Sequence, residues 1–348
     1  ITKNLYMVDK IKILLCFGTR PEWLKIKPLI KLMREDDYEL LFTGQHPDLL
    51  KNIKVDYRIN ISPSNNRLDS IISDCMIQFP IGDFDAVLVQ GDTGSAFGCA
   101  LAAFNRKIKI IYLEAGLRTD NIHHPYPEEG YRQMISRISD INFCPTSISL
   151  SNLISENTQG EGFVVGNTVL DNLVEHINKC EYTNKVLVTL HRRENHYQME
   201  EWFNTINQLA KNNPELNFIL PLHPNPNVQK YKHVLTHVNV IDPIPHLELI
   251  EILVKCKLVI SDSGGLQEEG SFFNKKVIVC RETTERPEGI QSGHTYMCPS
   301  PKYLLPLFNK LIDNYEIQFP CPYGDGRTST KVYETIKRLI PKIKNNKN

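Results

Sequence analysis

Short apolar runs alternate with longer amphipathic segments along most of the chain. The first run spans residues 11–17 and is followed by a turn at Gly18 and a helical pattern. Such alternation predicts parallel strands covered by helices on both faces of a sheet. In the first half we predict strands at 11–17, 38–43, 86–90, 108–113, 142–144 and 162–165, and helices after residue 19 and at 93–105 and 128–139.

A polar stretch at about residues 175–185 has no strong periodicity and predicts a linker between two domains. The alternation then resumes. Predicted strands lie at 186–190, 218–222, 238–241, 258–261 and 276–280, and predicted helices at 199–211, 228–236, 247–255, from 266 onward, 301–314 and 329–342. The predicted fold class is α/β: two doubly wound Rossmann-like domains, 1–175 and 185–328, facing a cleft, with a C-terminal segment at 329–348.

A Ser-Asp-Ser-Gly-Gly turn joins a β-branched run to a helix within residues 258–269. Gly264 and Gly265 let the backbone approach a ligand closely, and the start of a helix favours phosphate oxygens. Ser263 adds a hydroxyl, and Glu269 is placed to accept ribose hydroxyls. This stretch predicts a nucleoside diphosphate site, with an ordinary capped turn as the alternative.

Cations and carboxylates cluster after the predicted strands of the first half. Thr19 and Glu22 form a capping-box pattern at the first helix, which also carries Arg20 and Lys25. These two cations are candidates to neutralise a diphosphate, or are simply solvated. The carboxylates Asp92, Glu114 and Glu128 are acid/base candidates, because crowded carboxylates separate acid from base roles at neutral pH. Individually, each also fits a cap or an ion pair with Arg118, Arg132 or Arg137.

His191 ends an apolar strand and precedes two arginines. It suits a general acid or base, or a phosphate ligand; the alternative is a strand-end histidine bonded to backbone. His191 and His196 do not follow a metal-binding pattern, so no metal is predicted. The first strand lacks a G-x-G-x-x-G turn and the chain lacks a P-loop, so no NAD, ATP or other cofactor is indicated.

Amino-acid composition indicates the cellular compartment and argues against some kinds of partner. The 348 residues contain 40 Lys and Arg and 40 Asp and Glu, so no overall charge attracts nucleic acid or anionic lipid. Nine cysteines without a C-x-x-C pair indicate a reducing compartment. No segment approaches eighteen continuous apolar residues, so no membrane insertion is predicted. We expect a cytoplasmic protein with no nucleic-acid or membrane partner.

The motifs together resemble the UDP-N-acetylglucosamine 2-epimerases, chiefly the bacterial non-hydrolysing type. The matching blocks run in family order at 18–22, 43–46, 91–93, 114–119, 127–129, 166–168, 191–195, 225–228, 261–269, 284–288 and 322–326. The resemblance implies an isomerase with a fold like that of the GT-B glycosyltransferases, whose final helix, 329–348, packs back on the first domain. It also implies a homodimer, a UDP-sugar substrate and no added cofactor.

The resemblance further implies inversion of C2 of a UDP-linked N-acetylhexosamine, from UDP-N-acetylglucosamine to UDP-N-acetylmannosamine. UDP would be eliminated and added back through a 2-acetamidoglucal. By similarity, Asp92, Glu114 and Glu128 are the acid/base candidates, and His191 assists the leaving diphosphate. The positions implied to hold the substrate are Arg20, Lys25, Ser263, Gly264, Gly265 and Arg286, with Glu269 on the ribose.

Non-hydrolysing members also bind an activating UDP-sugar, and the matching positions are Gln45, Arg67, Arg192 and His223. Four alternatives stay open. The first alternative is that the substrate is a UDP-6-deoxy-N-acetylhexosamine, which stays open because the motifs do not reveal the pocket for C6. The second is a hydrolysing 2-epimerase that releases N-acetylmannosamine. The third is a GT-B glycosyltransferase, and the fourth is a sensor of sugar nucleotides without catalytic activity.

Overall fold

The computed structural model describes residues 11–48, 53–317 and 319–345 and divides the chain into two compact units. Unit 1 has two segments, the chain up to Asn172 and the chain from Gly326 onward. Unit 2 is Leu173–Asp325. The predicted segments 1–175, 185–328 and 329–348 include residues 1–10, 49–52, 318 and 346–348, which lie outside the described residues.

Unit 1 contains, within the described residues, a seven-stranded parallel sheet in the order β3-β2-β1-β4-β5-β6-β7. Its central strands are buried along their whole length, as expected for a sheet covered on both faces. The strands are β1 Ile13–Phe17, β2 Tyr38–Phe42, β3 Tyr57–Arg58, β4 Ala86–Gln90, β5 Lys109–Leu113, β6 Ile141–Cys144 and β7 Glu161–Val164.

Helices cover both faces of this sheet. The helices are α1 Arg20–Ile30, α2 Arg67–Ile77, α3 Gly94–Asn105, α4 Glu128–Ile138 and α5 Ser147–Ser155. Helices α2 to α5 bury side chains such as Cys75 and Ile135 on one face. On the other face α1 packs with the C-terminal helix, Thr328–Asn345, through residues such as Leu29 and Ile336.

Unit 2 contains a six-stranded parallel sheet in the order β10-β9-β8-β11-β12-β13, counted over the part of the chain that is described. Its strands are β8 Lys185–Thr189, β9 Asn217–Pro221, β10 Asn239–Ile241, β11 Cys256–Ser261, β12 Lys276–Val279 and β13 Thr295–Met297. Its helices are α6 Met199–Asn212, α7 Pro226–Gln229, α8 His246–Leu253, α9 Gly264–Phe272, α10 Pro287–Gln291 and α11 Leu304–Ile312. The predicted α/β class with two Rossmann-like sheets is confirmed.

The two faces of this second sheet carry different helices. Helices α6 and α11 pack with β8, β9, β11 and β12 in one apolar core. Helix α8 contacts β8 and β11, and α9 contacts β11 and β12. Because the connections from β10 to β11 and from β11 to β12 cross the sheet in the same direction, α8 and α9 lie on the same face.

Several predicted elements were wrong or missing. The predicted helix at 228–236 is a short helix, Pro226–Gln229, followed by a 3-10 turn at Lys232–Val234, because His, Val and Thr are weak helix formers. Helices α2, α5 and α10 and strands β3 and β13 were not predicted. In α2 the buried face is narrow and includes the polar residues Ser70 and Asp74, which weakens the periodic signal.

The predicted linker lies within unit 2. It begins with a 3-10 helix, Val174–Lys179, and then runs beside the end of α8. There the amide of Glu181 donates to the carbonyl of Val254 at 2.9 Å, and the amide of Thr183 to that of Lys255 at 3.1 Å. No described helix is both long enough and apolar enough to cross a bilayer.

Candidate functional site

The chain reverses its direction across the unit 1 sheet between β1 and β4. From β1 it continues to β2, and from β4 to β5 on the other side. Ligands of doubly wound folds bind outside the carboxyl ends of the strands at such a switch point. Gly18 and Thr19 follow β1 there, and Gly91 and Asp92 follow β4.

Glu22 accepts hydrogen bonds from both of these loops. Its carboxylate is buried and accepts the amides of Gly18 and Thr19, each at 2.7 Å. It also accepts the hydroxyl of Thr93, the N-cap residue of α3. The predicted capping box between Thr19 and Glu22 is confirmed. One side chain therefore fixes the loop after β1 and the loop after β4 relative to each other.

The carboxylate of Glu114 contacts several polar side chains of unit 1. It follows β5 with a φ of 70°, a left-handed conformation that is costly for a residue with a side chain. Its carboxylate accepts the ammonium of Lys25 at 2.5 and 2.6 Å, the amide of Gln90, and the amide of Asn167 at 3.3 Å. The Glu114 side chain is only 7% exposed, so this pairing is largely shielded from water.

The other two carboxylate candidates lie after β4 and at the start of α4. Asp92 receives the guanidinium of Arg132 at 2.7 Å, and its side chain stays 27% exposed. Glu128 is the first residue of α4 and is half-buried. The adjacent Glu129 is fully buried and accepts Arg132 at 3.1 Å. Arg132, which sequence analysis treated only as an ion-pair partner, therefore connects Asp92 to α4.

Two of the predicted activator residues also lie in unit 1. The guanidinium of Arg67 donates to the carbonyl oxygen of Gln45 at 2.7 Å. The side-chain oxygen of Gln45 accepts the amide and hydroxyl of Ser95 in the first turn of α3, at 3.1 and 2.7 Å. Arg20 is exposed on the first turn of α1. Gln45 and Arg67 are thus brought together across 22 positions of sequence.

Unit 2 has its own switch point, between β8 and β11. Asp262 follows β11 and is fully buried. Its Oδ2 accepts the amides of His191 and Arg192, each at 2.9 Å, and the side-chain amide of Asn195 at 3.0 Å. Asp262 thereby fixes the backbone that leaves β8, and with it the position of His191.

The imidazole of His191 lies between two groups. Its Nδ1 is 3.4 Å from Oδ1 of Asp262, and its ring stacks on that of His223 with centroids 5.1 Å apart. Burial lowers the pKa of His223 below its ordinary value, and the nearby His191 adds to that effect. A largely neutral His223 therefore lies against His191 at neutral pH.

The turn after β11 begins helix α9 as predicted. Ser263 is the N-cap residue, but its side chain makes no capping hydrogen bond. Gly264 lies against Arg286: a Cβ at this position would be 2.8 Å from Nη1 of Arg286. Arg286 is itself held by Glu268 at 2.6 Å and by Glu285. The glycine therefore allows a buried, anchored guanidinium to reach the first turn of the helix.

Glu269 lies one turn further along α9. Its side chain is 6% exposed, and its Oε1 is 2.7 Å from Nε2 of His246, the first residue of α8. Sequence analysis assigned no role to His246. Nor did it predict the bonds of Gln90 and Asn167 to Glu114, or those of Asp262. Asn167 and Asp262 lie in the motif blocks 166–168 and 261–269, and Gln90 ends an apolar strand, whereas no sequence pattern pointed to His246.

Comparison with known proteins adds a family to this geometry. A sequence model of the family described as UDP-N-acetylglucosamine 2-epimerase matches residues 31–337. A Campylobacter jejuni protein named UDP-N-acetylglucosamine 2-epimerase is 39% identical over an alignment of 381 positions, gaps included, which covers 96% of this chain and 98% of its own. The chain belongs to the UDP-N-acetylglucosamine 2-epimerase family. It is therefore an epimerase, a member of the isomerase class of enzymes.

Two solved structures are similar to this chain over nearly its whole length. The Neisseria meningitidis UDP-GlcNAc 2-epimerase, bound to UDP-GlcNAc, has a TM-score of 0.82 and 33% identity and covers 94% of this chain and 100% of its own. The MnaA–UDP structure from S. aureus has a TM-score of 0.85 and 31% identity, with 95% and 97% covered. The resemblance seen in the sequence motifs is thus confirmed at the level of family and fold.

Proposed function

We propose that this epimerase is of the non-hydrolysing type and inverts C2 of UDP-N-acetylglucosamine to give UDP-N-acetylmannosamine. The observation that carries the proposal is Glu114, a buried carboxylate that follows β5 and is held by Lys25, Gln90 and Asn167. Asp92 follows β4 and Glu128 is the first residue of α4, and both supply further acid/base groups. The Neisseria relative, whose structure contains UDP-GlcNAc, supports the choice of substrate.

The chemistry requires two coupled events. The C2 proton of the sugar does not adjoin a carbonyl, so its removal alone would leave an unstabilised carbanion. If C2–H breaks as the C1–O bond to UDP breaks, the electron pair instead forms the C1–C2 double bond of a 2-acetamidoglucal. Re-addition then delivers a proton to the opposite face of C2 while a UDP oxygen reforms the bond to C1. The sugar nucleotide is isomerised with no net gain or loss of atoms.

The proposal divides the roles between two sets of residues. Asp92, Glu114 and Glu128 take and return the proton on the two faces of C2. Ser263 and Gly264, with Gly265 and Arg286, hold the diphosphate at the start of α9, where amides and a buried guanidinium favour anions. His191, fixed through Asp262, assists the departing diphosphate, and Glu269 accepts ribose hydroxyls.

The remaining assignments complete the proposal. Arg20 and Lys25 contribute positive charge on α1. Gln45 and Arg67, which contact each other, and Arg192 and His223, which adjoin and stack on His191, are proposed to bind a second UDP-sugar as activator. We also propose a homodimer in the cytoplasm. The nine free cysteines suit a reducing compartment, and light scattering tests the dimer.

The test is to incubate the protein with UDP-N-acetylglucosamine in D₂O and to follow the sugar nucleotide by NMR and mass spectrometry. Deuterium at C2 and formation of UDP-N-acetylmannosamine, with no free sugar, are the expected results. Release of N-acetylmannosamine would instead establish a hydrolysing enzyme. Absence of C2 exchange, with UDP still bound, would contradict the substrate, and the 6-deoxy-N-acetylhexosamine nucleotide would be tested next. Boiled protein is the control for chemical exchange.

A further inference from the structure

His246 and Glu269 form a pair at the edge of the unit 2 sheet. Nε2 of His246 lies 2.7 Å from Oε1 of Glu269, and the two side chains are 22% and 6% exposed. An ionised carboxylate only accepts hydrogen bonds, so Nε2 carries the proton of this bond. The pair therefore leaves one carboxylate oxygen, Oε2, as the second acceptor of a largely buried group.

The topology explains why these residues meet although 23 positions separate them. Helices α8 and α9 lie on the same face of the sheet, and each begins after the carboxyl end of its preceding strand. His246 is the first residue of α8, and Glu269 lies in the second turn of α9. Both side chains thus lie beyond the carboxyl ends of the strands, where the Gly264 turn begins.

We propose that His246 is a positioning residue that sets the preference of this enzyme for ribose. The imidazole holds Oε1 of Glu269 and fixes the rotamer in which the carboxylate meets the 2′ and 3′ hydroxyls of the nucleoside. This inference rests on the proposed function, which places a uridine nucleotide at this site. It extends that function by naming the residue that makes the Glu269 contact selective for a cis-diol.

The physical reason is preorganisation. Without its donor, a carboxylate that is 6% exposed loses a charge-assisted hydrogen bond and turns toward other donors or water. A ribose would then have to reorder the side chain on binding, which weakens the contact with the hydroxyls. A nucleotide without these hydroxyls gains nothing from the ordered carboxylate. Loss of His246 should therefore weaken the binding of UDP and leave the binding of a dideoxy analogue unaffected.

The experiment measures binding of UDP and of 2′,3′-dideoxy-UDP by calorimetry to four forms of the full chain. They are the parent protein, His246→Phe, which keeps a planar ring without the donor, His246→Gln, which keeps a side-chain N–H, and the control His233→Phe at an exposed site. The parent and the control should prefer UDP by about 10- to 100-fold, the worth of hydrogen bonds to a charged group. His246→Phe should reduce the preference to about threefold or less, with dideoxy-UDP affinity unchanged, and His246→Gln should restore most of it.

Turnover gives a second measure. With UDP-N-acetylglucosamine, His246→Phe should raise KM by about the factor by which it weakens UDP binding. It should leave kcat within about twofold, since the ribose lies away from the reacting carbon. An unchanged preference for UDP in His246→Phe would overturn the inference while the proposed function stands. Equal weakening of both nucleotides would show a merely structural role and would also overturn it. Failure of the parent protein to bind UDP would overturn the proposed function and this inference together.

Discussion

The ammonium of Lys25 contacts both carboxylate oxygens of Glu114, at 2.6 and 2.5 Å. Lys25 was expected to neutralise a diphosphate, and in unit 1 its ammonium instead contacts a candidate acid/base group. The two side chains are 16% and 7% exposed, so the pair is poorly screened by water. Lys25 therefore supports Glu114 directly, whatever further contact it makes with a substrate.

Lys25→Met should impair both stability and turnover. Removal of one partner of a buried ion pair costs about 3 to 5 kcal/mol, because the remaining buried charge loses this counter-ion. We expect a fall of this order in the free energy of unfolding by urea denaturation, and a loss of kcat of about 10²-fold or more. The matched control is Lys27→Met, an exposed position on the same helix. Equal effects at the two positions would show that the pairing with Glu114 is unimportant.

Asp92→Asn should separate catalysis from binding. The amide keeps the shape and an oxygen toward Arg132, but it does not exchange a proton in the reaction. We expect kcat to fall by about 10²- to 10⁴-fold while UDP affinity changes by less than about threefold. Glu128→Gln should behave alike, and Asp83→Asn, at an exposed loop position, is the control. Near-parent rates for both variants would remove these residues from the acid/base set.

Glu22 should make stability depend on pH in a predictable direction. Burial raises the pKa of its carboxyl above the ordinary value of 4.5. The folded state then holds this proton at pH values where the unfolded state has lost it, so stability falls as pH rises from about 4.5 through the folded pKa. Glu22→Gln removes that dependence. The free energy of unfolding of the variant, relative to the parent, should rise across this window; a constant difference would contradict the assignment.

Asp262 should be among the residues of unit 2 least tolerant of change. It is fully buried and accepts three donors, the amides of His191 and Arg192 and the side chain of Asn195. Asp262→Ala leaves these donors without an acceptor, at a cost of about 3 kcal/mol or more. Asp262→Asn, which keeps one oxygen, should cost less. Urea denaturation measures both, with exposed Asp242→Asn as the control. Parent-like stability of the alanine variant would show that these bonds contribute little.

Gly264 and Gly265 should respond differently to alanine. A Cβ at 264 would lie 2.8 Å from Nη1 of Arg286, whereas a Cβ at 265 would meet nothing closer than 3.9 Å. Gly264→Ala forces the anchored guanidinium to move and should cost about 1 to 3 kcal/mol. Gly265→Ala should be neutral or stabilising by about 0.4 to 1 kcal/mol in the absence of ligand. Thermal unfolding compares the two, and equal shifts would show that Arg286 yields easily.

Much of the local structure was predictable because its causes are local. The capping box of Thr19 and Glu22 lies within four consecutive residues, and the structure contains it. The turn at Ser263 and the start of α9 follow from a β-branched run and two glycines. Apolar runs of strand length, separated by amphipathic segments, were enough for the α/β class. Helix α2 was missed because its buried face includes Ser70 and Asp74, which carry no apolar signal.

The sequence by itself determined which residues stand at the carboxyl ends of strands, because strand and turn are set by neighbours along the chain. It did not determine which of them touch. Lys25 and Glu114 are 89 positions apart, and His191 and Asp262 are 71 apart. Such pairs meet only because parallel strands from distant segments lie side by side at a switch point. The pairing of each charged group, on which its chemistry depends, is therefore a property of the tertiary structure.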